Sequence, residues 1–248
     1  MKIGMTSLTL RNENVENVIK YAKEAELSGI EWGVSDLHIP LGNKKQAEKI
    51  KKLSSESGIE IFSLGSYCRM LEKEEIDNVV ETAVMLEAPI IRVWAGDESP
   101  HDDDGEYRQK IADNAKYMSE QTGKYNINIG FEYHIGTLTE NAESAVNLIK
   151  KIDCCNVGLY WQPSGSLSPQ ENLKEFISVR PYIIGNLHVH NYSVDKGYQS
   201  LESISENLKL YYGDIKDMPY NLLIEFVKDS TPQNIKADAD TLRKVLKQ

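Results

Sequence analysis

Short apolar runs alternate with amphipathic stretches along the whole chain, and this alternation predicts strands that are each followed by a helix. The apolar runs are rich in Ile, Val, Leu and aromatic residues, as expected of parallel strands covered on both faces. There are eight of them, at residues 2–8, 29–34, 59–66, 89–96, 127–134, 157–162, 183–190 and 221–226. The pattern therefore predicts eight parallel strands.

The stretches between the runs have the period of amphipathic helices. In the stretch 15–29, Val15, Val18 and Ala22 fall on one face, and Gly29 is suited to end a helix. Further helices are predicted at 44–58, 74–88, 104–123, 139–152, 168–180, 198–213 and 231–247. The acidic run HDDDGEY (101–107) is interpreted as the start of one of these helices and not as a metal-binding cluster, because acidic residues offset the dipole at a helix N-terminus.

Eight successive strand–helix units predict an α/β fold. They close most simply into a single (β/α)8 TIM barrel. An open, doubly wound sheet is the rival fold, but the first strand–helix turn lacks the GxGxxG fingerprint of that class. No stretch rich in Pro, Gly and Ser divides the chain. We therefore predict one barrel domain over residues 1–248.

The composition is that of an ordinary globular protein. Hydrophobic residues make up 40% and charged residues 27% of the chain, and no run of about 18 apolar residues could cross a membrane. No secretory signal is evident at the start, and the 3 cysteines form no CxxC pair, which together predict a cytoplasmic location. The net charge of −10 repels phosphate backbones and so argues against a nucleic-acid partner.

The active site of such a barrel lies where the strands end. Polar residues at the predicted ends of strands five to eight are Glu132 and His134, Gln162, His188 and His190, and Glu225. Two carboxylates, one imidazole and one amide oxygen form a donor set suited to Mg²⁺, Mn²⁺ or another borderline divalent ion. Each residue alone is more often structural, but four at matching positions on consecutive strands predict a site.

Several segments resemble those of a known family: GIEWGV, PIIRVWAG, FEYHIGTLTENAES, NVGLYW, NLHVH and LLIEF. On these segments the chain resembles the xylose isomerase-like superfamily of TIM barrels, which includes sugar phosphate isomerases and epimerases. The resemblance implies a divalent metal ion (Mn, Mg, Co or Zn) held by Glu132, Gln162, His188 and Glu225. It places His188, and not His190, among the metal ligands.

Gln162 departs from the family pattern, because relatives that resemble this chain usually have Asp at that position. An amide brings no charge, so the metal affinity should fall. Three interpretations stay open. Gln162 binds a metal weakly through its oxygen, it hydrogen-bonds a sugar hydroxyl or a metal-bound water, or the site has become a metal-free binding pocket.

The resemblance implies an isomerase or epimerase of a small sugar or sugar phosphate, in which the ion polarises a carbonyl and stabilises an enediolate. Glu132 and Glu225 would both bind the ion and move the proton. The alternatives are an inosose-type dehydratase on the same scaffold and a non-catalytic sugar-binding barrel. An apurinic-site endonuclease, which the superfamily also contains, is disfavoured by the 5 histidines and the acidic balance. Relatives are often dimers or tetramers, so a homo-oligomer is expected.

Residues near the strand ends are candidates for contacts with a small carbohydrate substrate. Trp94 and Trp32 offer aromatic faces that pack on the C–H surface of a sugar, although tryptophan at these positions could equally fill the barrel. His134 should point into the barrel mouth if strand five is regular. His190 and His38 complete the set, with a structural role as the alternative for His38.

Overall fold

The chain folds into a closed barrel of parallel strands in the computed structural model, which describes residues 1–101, 103, 105–215 and 217–247. The strands in chain order are β1 (Lys2–Thr6), β2 (Gly29–Gly33), β3 (Glu60–Gly65), β4 (Ile90–Val93), β5 (Asn128–Glu132), β6 (Val157–Trp161), β7 (Ile183–Val189), β8 (Tyr192–Ser193), β9 (Gly197–Tyr198) and β10 (Asn221–Ile224). All but the β8–β9 hairpin belong to the barrel, which closes where β10 pairs with β1. The predicted (β/α)8 fold is confirmed.

A helix covers the outside of the barrel after each barrel strand. These helices are α1 (Val15–Glu24), α2 (Lys44–Ser57), α3 (Lys73–Leu86), α4 (Glu106–Gly123), α5 (Ala142–Ile152), α6 (Pro169–Val179), α7 (Ser205–Tyr212) and α8 (Pro232–Lys247). Their apolar faces are buried against the strands, as Ala145, Leu148 and Ile152 of α5 illustrate. Ser168 and Glu171 form a reciprocal capping box that fixes the start of α6.

Side chains along each strand point alternately into the barrel and toward the helices, and this alternation decides which of them enter the barrel. On β4, Ile91 and Val93 belong to the large core between the strands and the helices, whereas Ile90 packs in the barrel interior. Arg92 follows Ile90 with the same parity and also points inward. Trp94, directly after β4, comes next on this inward face. Every second residue of a strand is therefore available to the interior.

One layer of the barrel interior is apolar and consists of Phe62, Ile90, Tyr160 and Leu223. Glycine makes room for the large side chains in this layer, since a Cβ atom on Gly29 would lie 2.4 Å from the Phe62 ring. The interior becomes polar toward the C-terminal ends of the strands. The candidate functional side chains therefore stand above a packed apolar layer.

The predicted helix over 198–213 is wrong in its first part. The β8–β9 hairpin reaches Tyr198, Ser200 then caps a separate 3-10 turn at Leu201–Ile204, and α7 begins at Ser205. The sequence of this segment has a helical pattern because the 3-10 turn and α7 bury apolar residues at similar intervals. The hairpin itself is too short to give a strand pattern.

Two further points concern the predicted elements. Helix α1 ends at Glu24, so Gly29, which was predicted to end this helix, is the first residue of β2. In the acidic run 101–107, Asp102 and Asp104 lie outside the described residues, and the interpretation of that run stays a prediction. Within the described parts of the chain, no helix has both the length and the apolar character that crossing a membrane requires.

Candidate active site

Three side chains from different strands meet at the C-terminal end of the barrel interior. Glu132 ends β5, His188 lies on β7 and Glu225 directly follows β10. One potential ligand atom of each lies within 4.8 Å of the others. The Nδ1 atom of His188 is 3.5 Å from Glu132 Oε1 and 3.5 Å from Glu225 Oε1. The structure thus brings together three of the four residues that were predicted to bind a metal.

Glu132 is firmly held in this cluster. Nη1 of Arg92 donates a hydrogen bond to Glu132 Oε2 at 2.8 Å, and the indole N–H of Trp94 donates to the same oxygen. Burial raises the pKa of Glu132, but the positive charge of Arg92 and the interactions with His188 together hold this pKa well below its usual value. Glu132 therefore stays ionised, and its Oε1 is left to face His188.

Two buried charges outside the predicted set of metal ligands and substrate contacts support the cluster. Oε1 of Glu31 lies 3.4 Å from Arg92 Nε and 3.3 Å from His188 Nε2. Ser63 donates a hydrogen bond to the other oxygen of Glu31 at 2.7 Å. Glu31 and Arg92 could have been noticed as charged residues inside apolar strand segments, because a buried charge needs a partner. The His188 ring lies between Glu31 on its Nε2 side and the other two carboxylates on its Nδ1 side.

Gln162 lies beside this cluster, directly after β6, and is buried. Its Nε2 donates a hydrogen bond to the backbone carbonyl of Tyr133 at 2.8 Å and lies 3.4 Å from Glu132 Oε1. Its Oε1 is buried and has no hydrogen-bond partner among the described residues. Gln162 therefore adjoins the three clustered residues, and its oxygen remains available as an acceptor or a ligand.

A cavity of about 620 Å³ opens above the cluster and is lined by Glu132, Gln162 and Glu225. One wall contains Trp94, which stacks on His134 with the ring centroids 4.5 Å apart. A second group of aromatic residues that line the cavity consists of His190, Tyr192, Tyr198 and Phe226. Nδ1 of His190 lies 3.5 Å from Oε2 of Glu225. The predicted contacts Trp94, His134 and His190 therefore do line the cavity.

Trp32 and His38 do not line the cavity, and their assignment as substrate contacts is corrected. Since Glu31 points into the barrel, the next residue on the strand points outward, and Trp32 is fully buried between strands and helices. His38 is fully buried as well, with its Nδ1 2.9 Å from Ser7 Oγ and its Nε2 3.1 Å from the carbonyl of Glu13. Burial lowers the pKa of His38, which fits a neutral structural histidine.

The donor set of the cluster fits a divalent cation. Carboxylate and imidazole groups are ligands that Mn²⁺, Mg²⁺, Co²⁺ and Zn²⁺ sites use in different proportions. Both ring nitrogens of His188 are buried without a well-directed hydrogen bond to any described residue, although carboxylate oxygens lie 3.3–3.5 Å away. Burial lowers the pKa of His188, but Glu225 and Glu31 outweigh burial and raise it well above its usual value. The pocket thus strongly favours positive charge at its centre.

Comparisons with known proteins agree with the barrel fold. The family model described as a xylose isomerase-like TIM barrel matches residues 19–242. A 3-dehydroshikimate dehydratase of Bacillus anthracis is 19% identical over 254 residues, which cover 93% of this chain and 88% of the relative. A D-tagatose 3-epimerase-like protein superposes with a TM-score of 0.78 at 18% identity, covering 100% of this chain and 97% of that chain. A D-psicose 3-epimerase of Clostridium cellulolyticum superposes with a TM-score of 0.75 at 12% identity, covering 99% of each chain.

Proposed function

Because the chain belongs to the xylose isomerase-like TIM barrel family, we propose that it is a divalent-metal-dependent isomerase or epimerase of a small sugar or sugar phosphate. The observation that carries the proposal is the convergence of Glu132, His188 and Glu225 within 4.8 Å at the floor of a cavity of about 620 Å³. A cavity of this size is adequate for a small carbohydrate.

In this proposal Glu132, His188 and Glu225 hold the ion, which is Mn, Mg, Co or Zn. When bound, such an ion supplies a Lewis acid that polarises a substrate carbonyl. The three side chains come from separate strands of a rigid barrel, so their relative positions do not depend on a loop. Glu31 supports the arrangement by facing Nε2 of His188, at 3.3 Å, and so directs Nδ1 toward the other ligands.

Glu132 and Glu225 form the pair that moves the proton. Glu225 is the better placed proton acceptor, because it faces only two imidazoles, at 3.5 Å, among its ion-pair partners in the described residues, whereas both Arg92 and Trp94 donate hydrogen bonds to Glu132. Glu225 takes a proton from the carbon next to the carbonyl, and the C–H electron pair moves toward the carbonyl oxygen. Return of a proton to the former carbonyl carbon, with transfer of the hydroxyl proton between the two enediolate oxygens, completes an isomerisation. Return of the proton to the opposite face of the original carbon completes an epimerisation.

The cavity walls position the substrate for this transfer. The stacked rings of Trp94 and His134 present an aromatic face to the C–H surface of a sugar. His190 lies beside Glu225 and restricts the rotation of its carboxylate. The walls also exclude water from one side of the reacting carbon, which strengthens the electrostatic interactions in the site.

A dehydratase is the second candidate, and the similarity to a 3-dehydroshikimate dehydratase favours it. The first step is the same, since Glu225 again removes a proton next to a carbonyl. The electron pair then expels a hydroxide from the adjacent carbon, and this hydroxide leaves as water with the abstracted proton. The two candidates differ in the product, because dehydration lowers the mass by one water and isomerisation leaves it unchanged.

Deuterium exchange tests the proton transfer that both candidates share. Purified protein with Mn²⁺ is incubated in heavy water with free ketoses, inososes, ketose phosphates and 3-dehydroshikimate, and the products are analysed by mass spectrometry. We expect deuterium incorporation or loss of water for at least one compound, and a decrease of at least about 100-fold in Glu225→Gln. Glu60→Gln is the control, because Glu60 is exposed at the opposite end of the barrel, beside Lys2. Equal rates in Glu225→Gln and in the wild type contradict the proposal.

Three further features of the proposal remain predictions. The protein is expected to act on a small-molecule substrate without a nucleic-acid or membrane partner. It is expected to be cytoplasmic. It is also expected to form a homodimer or homotetramer, which size-exclusion chromatography with light scattering measures directly.

A further inference from the structure

Hydrogen-bond acceptors beside its nitrogen fix the orientation of the Gln162 amide. Its Nε2 donates to the carbonyl oxygen of Tyr133 at 2.8 Å and faces Glu132 Oε1 at 3.4 Å. Rotation of the amide by half a turn would place its oxygen against a carbonyl oxygen and a carboxylate oxygen, which repel it. Nitrogen and oxygen are therefore distinguishable here from the chemistry of the neighbours.

The oxygen end of the Gln162 amide lacks a hydrogen-bond partner among the described residues. Gln162 is only 8% exposed, it lines the cavity, and its Oε1 is buried without a partner among the described residues. Leaving such an acceptor unpaired is unfavourable, so native sites that retain one commonly use it for a ligand. Because its N–H groups face acceptors, Gln162 can offer a ligand only its oxygen.

The position of the N–H end argues against Gln162 as a metal ligand. Nε2 lies next to Oε1 of Glu132, and this is the Glu132 oxygen that faces Nδ1 of His188 across 3.5 Å. An ion bound to that oxygen would lie near the positive end of the amide dipole. Glu132, His188 and Glu225 alone form a set of three protein ligands, as in catalytic sites that keep a coordination position for the substrate.

We propose that Gln162 binds the substrate and not the ion: its Oε1 accepts a hydrogen bond from a substrate hydroxyl, while its N–H group is held by the carbonyl of Tyr133. This inference rests on the proposed function. It also restricts the substrate class, because an ionised carboxylate or phosphate has no proton to donate to Oε1. The group that meets Gln162 is a neutral hydroxyl, so the substrate carries a hydroxyl at this point and its acidic group, if it has one, lies elsewhere in the cavity.

Metal binding without any substrate is the first part of the test. Free Mn²⁺ is measured by electron paramagnetic resonance during titration of the wild type, Gln162→Met and Glu225→Gln, after circular dichroism has verified that each variant is folded. We expect Gln162→Met to keep the Mn²⁺ affinity within about 3-fold, because no ligand is lost and the 3.4 Å contact with Glu132 is weak. We expect Glu225→Gln to weaken the affinity by more than about 10-fold, because a charged ligand is lost. A loss in Gln162→Met as large as that in Glu225→Gln overturns the inference and leaves the proposed function standing.

Substrate recognition is the second part of the test. The Mn²⁺-loaded wild type is titrated with free ketoses, inososes and ketose phosphates, and the tightest binder is compared with its singly deoxygenated analogues. We expect one analogue to bind at least about 10-fold more weakly, because a site that hydrogen-bonds a hydroxyl rejects a ligand without it. In Gln162→Met this difference should shrink to within about 2-fold. A difference of wild-type size in Gln162→Met overturns the inference, whereas absence of binding by every ketone overturns the proposed function and the inference with it.

Discussion

Asp238 provides a test of how burial acts on charge in this protein, independent of the active site. It lies on α8 with 1% of its surface exposed. Its Oδ1 accepts a hydrogen bond from the backbone N–H of Leu201 at 2.9 Å, whereas its Oδ2 is buried without a partner among the described residues. Burial raises the pKa of Asp238 from 3.8 to about 6.

The sign of the effect on stability follows from this shift. The folded protein binds the proton of Asp238 more tightly than the unfolded chain does, so unfolding releases a proton between about pH 4 and pH 6. Protonated Asp238 therefore stabilises the folded protein fully below about pH 4. This stabilisation is lost as the pH rises to about 6. Above this range, the buried carboxylate is a constant cost.

We expect Asp238→Asn to stabilise the protein at pH 8. A shift of about two pKa units corresponds to about 3 kcal/mol. Solvent screening and the unpaired amide N–H that asparagine introduces reduce the net gain to about 1–2 kcal/mol. The asparagine oxygen can still accept the hydrogen bond from Leu201. For a chain of this length, the gain corresponds to a rise in Tm of about 2–8 °C.

Thermal unfolding followed by circular dichroism at pH 8 and pH 5 measures this gain. Asp240→Asn is the matched control, because Asp240 lies on the same helix with its side chain 46% exposed and pairs with Arg243. The control is expected to change stability by less than about 1 kcal/mol. The gain from Asp238→Asn should be smaller at pH 5, where the native aspartate is partly protonated. An equal gain at both pH values, or a loss at pH 8, refutes the reasoning.

Two further predictions concern the buried charges beneath the site. Glu31→Gln is expected to weaken Mn²⁺ binding by about 10–100-fold, because it removes the charge that faces Nε2 of His188; isothermal titration calorimetry measures this, and an unchanged affinity contradicts it. Arg92→Met is expected to lower the free energy of unfolding in urea by about 3–5 kcal/mol, because it leaves buried carboxylates without their cation. Lys2→Met, which removes an exposed pair with Glu60, should cost less than about 1 kcal/mol, and similar losses in both variants would count against the argument.

The fold and the main site residues could be predicted from the sequence because parallel strands impose a simple rule. Every barrel strand is an apolar run, and all of the strands end at the same rim. Reading the residues at the end of each run therefore found Glu132, Gln162 and Glu225 as neighbours of a strand-seven histidine, and the family resemblance selected His188 over His190. No knowledge of loop structure was required for these residues.

The errors and omissions have equally specific causes. Trp32 was assigned to the cavity, although Glu31 and Trp32 are adjacent on one strand and cannot both point inward. Arg92 and Glu31 are 61 residues apart, and their pairing follows only from closure of the barrel. The β8–β9 hairpin contributes two residues to each strand, too few to give an alternating pattern. The alternation of side chains along a strand could be predicted from the sequence. The partner of each buried charge and the short hairpin could not.

The charge around the site gives a physical reason why a neutral residue at position 162 is compatible with catalysis. Glu31, Glu132 and Glu225 carry three formal negative charges, and Arg92 offsets one of them, so the group has the charge that a divalent ion balances. An aspartate in place of Gln162 would leave an excess negative charge beside the substrate. That charge would oppose the negative charge that develops on the carbonyl oxygen when a proton is removed. The amide avoids this repulsion, so the departure from the family pattern at Gln162 accords with the charge pair that Glu31 and Arg92 add inside the barrel.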